Sequence, residues 1–164
     1  MSDASDEVDD VVAAWRRERP DLDTSPMEVL SRVDRLARHV DRARAAAFSA
    51  HGLEGWEFDV LAALRRSGEP YRASPGALVR ATGVTSGTMT NRVDRLVGRG
   101  LVRRDLEPDD RRSVRVELTD DGRRTVDAAL VDLLDAERRL LDGLHEPDRG
   151  RLADGLRRLL ASYG

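Results

Sequence analysis

The stretch from Ser74 to Leu118 constrains the fold more than any other part of the chain, because two helix signals occur within it in close succession. Ser74-Pro75 combines a side-chain N-cap with a first-turn proline, and Gly83 supplies the left-handed residue that commonly follows a helix. Thr85 can cap a second helix. The apolar residues of that helix recur at three- and four-residue spacing, and they are Met89, Val93, Leu96 and Val97. Two capped helices joined by a tight turn predict a helix-turn-helix.

The next segment has the pattern of a β-hairpin. Residues 101–106 begin with an apolar pair and continue as a charged strand, and residues 107–110 form a charged turn that contains a proline. Residues 112–118 then return with strict alternation of polar and apolar side chains, as in a half-buried strand. A hairpin directly after a helix-turn-helix is a wing. We therefore predict a mainly α fold with a small β-hairpin wing, which is a winged helix-turn-helix.

The second helix of this motif has a polar face opposite its apolar residues. Thr, Asn and Arg side chains can bind base edges and phosphates, although any solvated helix face is also polar. The distribution of charge favours the first interpretation, because residues 72–115 contain ten Arg against five Asp and Glu. Residues 1–71 contain ten against fifteen, and residues 116–164 contain eight against eleven. Positive charge is concentrated where phosphates would bind. The DNA-binding residues predicted on this helix are Ser86, Thr88, Thr90, Asn91 and Arg95.

Helices with apolar stripes flank the motif on both sides. A short helix predicted at 5–18 ends before Pro20, and its apolar residues are Val8, Val11, Val12 and Trp15. A longer helix begins at Ser25-Pro26, and two more amphipathic helices follow the hairpin. These stripes exceed what one small winged module can bury, so we expect a homodimer, which also matches a palindromic operator. We assign residues 1–50 and 123–164 to a helical dimerisation region and 54–122 to the DNA-binding domain.

A helix is also predicted immediately before the helix-turn-helix, over residues 54–67. One of its faces carries the apolar residues expected to contact the core of the DNA-binding domain, namely Trp56, Val60, Leu61 and Leu64. Asp59 and Arg66 are seven residues apart and share a different face. They are therefore expected either in solvent or at a second interface.

Several other classes of protein are disfavoured. The chain has no cysteine and hence no disulfide or thiolate metal site. It has no signal peptide and no apolar run of membrane-spanning length, so we expect a cytoplasmic protein without membrane contacts. No HExxH, GxSxG or GxGxxG motif is present, so we expect no enzyme and no cofactor. A purely structural helical protein would leave the wing unexplained.

A metal-sensing regulator is an open alternative. His39 with Asp41, or His51 with Glu54, could ligate zinc. Neither pair has the i, i+4 spacing of a helical metal site, so we predict no metal.

In its motifs the chain resembles the MarR family of dimeric transcriptional regulators over essentially residues 26–164. The segments that carry the resemblance are 56–61, 85–96, 109–113 and 116–122, the last two forming an Asp-x-Arg wing followed by Leu-Thr-x-x-Gly. The resemblance implies a triangular dimer that usually represses, often at its own divergent promoter, and that leaves DNA when a small anionic or phenolic ligand binds. It also implies that Arg111 or Arg112 of the wing enters the minor groove.

The predicted N-terminal helix is similar to that of a urate-responsive branch of the family. In that branch a ligand site is built from a tryptophan of the added helix, an aspartate, an arginine seven residues further on and an arginine of the recognition helix. The matching residues here are Trp15, Asp59, Arg66 and Arg92. The resemblance implies urate or a related purine as the ligand. An organic acid or phenolic compound at a different site is the alternative.

Overall fold

The computed structural model of the chain describes residues 5–107 and 110–163, and for residues 107 and 110–113 it describes the backbone alone. The described residues form seven helices and a small antiparallel sheet of three strands. The helices are α1 (Glu7–Glu18), α2 (Ser25–Ser49), α3 (Gly55–Arg66), α4 (Pro75–Thr82), α5 (Ser86–Gly98), α6 (Asp120–Leu140) and α7 (Glu146–Leu160). The strands are β1 (Arg72–Ala73), β2 (Val102–Glu107) and β3 (Asp110–Leu118). The predicted mainly α fold with a small β wing is therefore confirmed.

The chain divides into two compact units, residues 1–42 and 43–164. In the first unit, α1 begins after Asp6, whose side chain accepts hydrogen bonds from the backbone of Val8 and Asp9. Arg32 of α2 donates to the carboxylates of Asp6 (2.8 Å) and Asp9 (2.7 Å). The hydrogen bond from Arg32 is the main reason why the pKa of Asp6 lies below its ordinary value. Charged side chains thus connect the start of α1 to α2.

The apolar stripe predicted on α1 is buried only in part. Val8 and Val12 are buried, whereas Val11 and Trp15 are exposed, Trp15 by 48% of its surface. The stripe is expected to pack on another surface, and within the described unit only its Val8 and Val12 side chains are covered. An indole with half its surface in solvent remains able to contact a ligand or another chain.

The second unit is built around α3. Val60, Leu61 and Leu64 have no exposed surface, and they form one core with residues from the neighbouring elements. These include Leu78 of α4, Met89, Val93 and Leu96 of α5, Val116 of β3, and Val126 and Ala129 of α6. The core that positions the helix-turn-helix therefore draws on α6 as well as on the winged module. None of the described helices is long and apolar enough to span a bilayer.

Two details of the second unit differ from the sequence prediction. Residues 72–73, for which the sequence pattern predicts no strand, form β1, which pairs with β3 through Arg72 opposite Glu117 and Ala73 opposite Val116. A two-residue strand is too short for its periodicity to be visible. Val97, expected on the buried face of α5, is 41% exposed. The sheet order is β1-β3-β2, so β3 lies between the other two strands.

The Leu-Thr-x-x-Gly segment marks a close approach between the start of α6 and the residue before β2. Thr119 caps α6 by accepting a hydrogen bond from the backbone N–H of Gly122 (3.0 Å), and its hydroxyl donates to the carbonyl of Gly100 (2.7 Å). Gly122 is buried, and a Cβ atom there would lie 1.9 Å from the carbonyl oxygen of Leu101. Only glycine fits at this position without movement of the backbone.

We expect Gly122→Ala to lower the free energy of unfolding by about 1–3 kcal/mol, because the new methyl group must displace a backbone carbonyl. Gly98→Ala at the end of α5 is the control, since no atom lies within 4 Å of a Cβ there. The control should leave stability unchanged or raise it by up to about 1 kcal/mol. Urea unfolding followed by circular dichroism measures both. Equal stability of the two variants would contradict the close approach.

Candidate nucleic-acid interface

Helix α5 places its polar residues in solvent because its opposite face is anchored in the core. Thr85 caps the helix, and its hydroxyl oxygen accepts a hydrogen bond from the backbone of Thr88 (3.2 Å). Met89, Val93 and Leu96 are at most 1% exposed. All five residues predicted on this helix to contact DNA are exposed, and they are Ser86, Thr88, Thr90, Asn91 and Arg95.

The polar side chains of this face differ in how far they are already engaged. The hydroxyls of Thr85 and Thr88 are 2.9 Å apart, and the hydroxyl of Thr90 donates to the carbonyl of Ser86 (3.1 Å). Across the described residues, the side-chain amide of Asn91 makes no hydrogen bond. An exposed amide on the outer face of α5 can donate and accept together at a base edge.

Arg95 and Arg92 of α5 both contact the ring of Trp56, which belongs to α3. The guanidinium carbon of Arg95 lies 4.6 Å from the ring centroid and that of Arg92 lies 5.4 Å from it. Both distances are within the range of cation–π attraction. The sequence pattern predicted that Trp56 faces the core, whereas the structure makes it half-buried, at the edge of that core.

Glu54, the residue before α3, connects Trp56 to Arg95. Its carboxylate accepts hydrogen bonds from the indole N–H of Trp56 (2.8 Å) and from Nη2 of Arg95 (2.8 Å). The indole hydrogen bond, followed by that of Arg95, lowers the pKa of Glu54. Glu54 therefore remains a carboxylate when it holds Arg95.

A buried carboxylate binds the residue that follows the C-terminal end of α5. Glu57 is 1% exposed and accepts hydrogen bonds from Nη1 of Arg99 (2.5 Å) and from the backbone N–H of Glu54 (2.9 Å). Arg99 also donates to the carbonyl of Gly52 (2.9 Å). The sequence pattern gave no sign of this pair, since an acidic residue in the first turn of a helix is usually solvated.

The wing is connected to α5 through charged side chains at its base. Arg104 of β2 forms an ion pair with Asp94 of α5 (2.9 Å). Within the wing, Arg103 of β2 forms an ion pair with Glu117 of β3 (2.6 Å). The side chains of Arg111 and Arg112 lie outside the described residues. The predicted role of these two arginines in the minor groove therefore stays a prediction.

The four residues predicted to bind a ligand lie on three helices. Asp59 and Arg66 are exposed on α3, Arg92 is partly buried on α5, and Trp15 is on α1 of the first unit. In the part of the chain that the structure describes, Asp59 and Arg66 form no ion pair. Asp59 and Arg92 likewise form no ion pair with each other among the described residues, and Arg92 contacts the Trp56 ring.

The two histidines considered as metal ligands have other contacts. Nε2 of His51 lies 2.7 Å from the carboxylate of Asp132, and the His39 ring lies 3.2 Å from Arg42. Among the residues that the structure describes, no three His, Asp or Glu side chains are close enough to hold a metal ion.

Helices α4 and α5 form a helix-turn-helix whose second helix has an outward polar face, and the β2–β3 wing follows it. The helices and the wing share one core, so the protein is a winged helix-turn-helix protein. A family model described as "MarR family" matches residues 51–113. The chain is 41% identical over 146 residues to the transcriptional regulator PecS of Dickeya dadantii, covering 89% of this chain and 88% of that protein. It is 35% identical over 113 residues to the repressor NicR of Pseudomonas putida, covering 66% and 70%. The chain therefore belongs to the MarR family of transcriptional regulators.

Solved structures agree with this assignment. BpsR of Bordetella bronchiseptica matches with a TM-score of 0.60 and 30% identity, covering 77% of this chain and 91% of that one. Wild-type MarR of E. coli without ligand matches with a TM-score of 0.66 and 25% identity, covering 80% and 96%. The relatives are DNA-binding regulators, so the prediction that the chain is not an enzyme is confirmed by its family.

Proposed function

We propose that the protein is a homodimeric repressor that binds a palindromic operator in double-stranded DNA and leaves it when a small planar anion binds. The observation that carries the proposal is the exposed polar face of α5, held outward by a fully buried opposite face. The local excess of Arg between residues 72 and 115 supports phosphate binding by the same segment.

Exposed apolar side chains support the dimer. Helix α7 has no buried residue, although it carries a stripe of leucines, and α2 and α6 also expose apolar side chains. The exposed residues are Val29, Leu30, Val33, Leu36, Leu130, Val131, Leu134, Leu152, Leu159 and Leu160. Large apolar side chains exposed along helix faces in this number are usually covered by another chain. We propose that residues 1–50 and 123–164 supply that interface.

The DNA-binding residues are tested by alanine variants of the wing and of α5. Arg111→Ala and Arg112→Ala should each weaken binding to all duplexes and reduce the slope of log affinity against log salt by about one, because each loses a phosphate contact. Arg95→Ala should in addition relax sequence preference. Arg151→Ala on α7, which removes one positive charge from an exposed pair with Asp148, is the control. Fluorescence anisotropy with a labelled upstream duplex measures the affinities, and unchanged affinity in all three variants would contradict the assignment.

Two observations support a planar anionic ligand at Trp15, Asp59, Arg66 and Arg92. Asp59 and Arg66 are exposed and make no ion pair within the described ranges, so their charges are available to a ligand. The second observation concerns BpsR, whose DNA binding is regulated by 6-hydroxynicotinic acid, a planar heteroaromatic acid. Urate has the same combination of a flat ring, a negative charge and ring N–H groups. Trp15 would stack on such a ring, Arg66 would neutralise the charge, and Asp59 would accept a ring N–H.

Arg92 is the residue that would transmit ligand binding to DNA, because it belongs to the recognition helix. A ligand that draws Arg92 away from its position in the DNA-bound state lowers DNA affinity. Linkage then requires that DNA lower the affinity for the ligand by the same factor. A hundredfold effect corresponds to roughly 2.7 kcal/mol of coupling free energy, which is in the ordinary range for allosteric proteins.

The ligand proposal is tested by adding urate or 6-hydroxynicotinate to the protein–operator complex. We expect one of them to release the DNA from the unaltered protein. Trp15→Phe, Arg66→Ala and Asp59→Asn should each keep operator affinity but blunt the release, because each removes a proposed ligand contact and the described structure shows no ion pair of Asp59 with the recognition helix. Arg158→Ala on α7 is the control for loss of one exposed positive charge. Release that is unchanged in both Trp15→Phe and Arg66→Ala would place the ligand at a different site.

A further inference from the structure

One aromatic ring of α3 contacts two arginines of the recognition helix. Trp56 has the guanidinium of Arg95 at 4.6 Å and that of Arg92 at 5.4 Å from its ring centroid. The same indole donates its N–H to Glu54, and Glu54 accepts a hydrogen bond from Arg95. Arg95 is therefore held both by the aromatic ring of Trp56 and by the carboxylate of Glu54.

This mode of contact leaves the rest of the guanidinium available. A guanidinium carries five N–H donors. Within the described residues, only the Nη2 group of Arg95 donates a hydrogen bond, and its acceptor is Glu54. The Nε and Nη1 donors of Arg95 are thus free to bind a base edge or a phosphate.

The contact also limits the conformations of a long side chain. An exposed arginine has several rotatable bonds, and ordering it upon DNA binding costs conformational entropy. A side chain that is already held before DNA arrives loses less entropy on binding, and it is presented in a defined direction. Trp56 itself is positioned by contact with the core of the second unit.

We infer that Trp56, with Glu54, is a positioning residue that orients Arg95 for sequence recognition. The inference rests on the proposed role of Arg95 in reading DNA. It assigns to the first turn of α3, which lies outside the helix-turn-helix itself, a part in the choice of operator. Trp56 acts on DNA through Arg95 and need not contact DNA itself.

The inference is tested with Trp56→Leu, which keeps an apolar side chain against the core but removes the aromatic face. The probe is the tightest-binding duplex selected from a random-sequence pool, compared with its single-base-pair variants. Arg95→Ala should reduce discrimination at one or more base pairs by roughly 5- to 100-fold. Trp56→Leu should reduce discrimination at the same base pairs by about two- to fivefold, the size of an exposed cation–π contact. Trp56→Phe should restore most of it.

The double variant Trp56→Leu/Arg95→Ala separates positioning from a general structural effect. It should discriminate no worse than Arg95→Ala alone, because Trp56 is expected to act only through that arginine. Full discrimination in Trp56→Leu, with discrimination lost in Arg95→Ala, would overturn the inference and leave the proposed function intact. Unchanged discrimination in Arg95→Ala would instead overturn the role of Arg95 in reading DNA. An equal loss of affinity for every duplex in Trp56→Leu would also overturn the inference.

A second measurement tests the contact without DNA. The chain has two tryptophans, so Trp56 is the only one in a Trp15→Phe background. In that background Arg95→Ala should change the fluorescence emission of Trp56, because a charged group leaves its face. Arg151→Ala should leave the emission unchanged. Unchanged emission in Arg95→Ala would show that the contact is not formed in solution, and would overturn the inference independently of any DNA result.

Discussion

The ion pair between the buried carboxylate of Glu57 and Arg99 is the interaction on which the geometry of the DNA-binding unit depends. A charge with 1% exposure is costly unless it is paired, and Glu57 is paired with Arg99 and with the backbone at the start of α3. Arg99 follows α5, so the pair ties the end of the recognition helix to the start of α3. Arg99 also binds the carbonyl of Gly52 in the preceding loop. One charged pair thus joins the end of α5, the start of α3 and the loop that precedes it.

With its end fixed in this way, α5 can carry two opposite faces. Met89, Val93 and Leu96 bury one face, and the residues between them are left in solvent with their hydrogen-bonding groups available. Two arginines lie between these faces, on the ring of Trp56. Arg95 is in the set proposed to read DNA and Arg92 in the set proposed to bind a ligand. Their shared contact with one ring places the two proposed functions within one turn of the same helix.

Local sequence patterns predicted those parts of the fold that depend on neighbours in the chain. The caps at Ser74 and Thr85 and the buried residues Met89, Val93 and Leu96 are all confirmed. Spacing alone placed Val97 in the core, because a helical period cannot show where a buried face ends. Strand β1 was missed since its two residues are ordered by pairing with β3, more than forty positions away.

The candidate site was predictable to a similar extent. The outward direction of Thr88, Asn91 and Arg95 followed from the period of α5 and is confirmed. The contacts of Arg95 with Glu54 and of Arg99 with Glu57 were not predictable, because they join residues that are 41 and 42 positions apart. A charged residue in a sequence shows no partner until the fold brings one to it. The same reason explains why Trp56 was assigned to the core alone.

In the proposed complex, α5 helices from two copies of this chain bind one palindromic operator. Hydroxyl-radical footprinting on the selected duplex, combined with the stoichiometry of the complex from sedimentation, tests it most directly. We expect two chains per duplex and two protected half-sites whose centres are about 34–36 Å apart, one turn of DNA. One chain bound to a single protected half-site would contradict it.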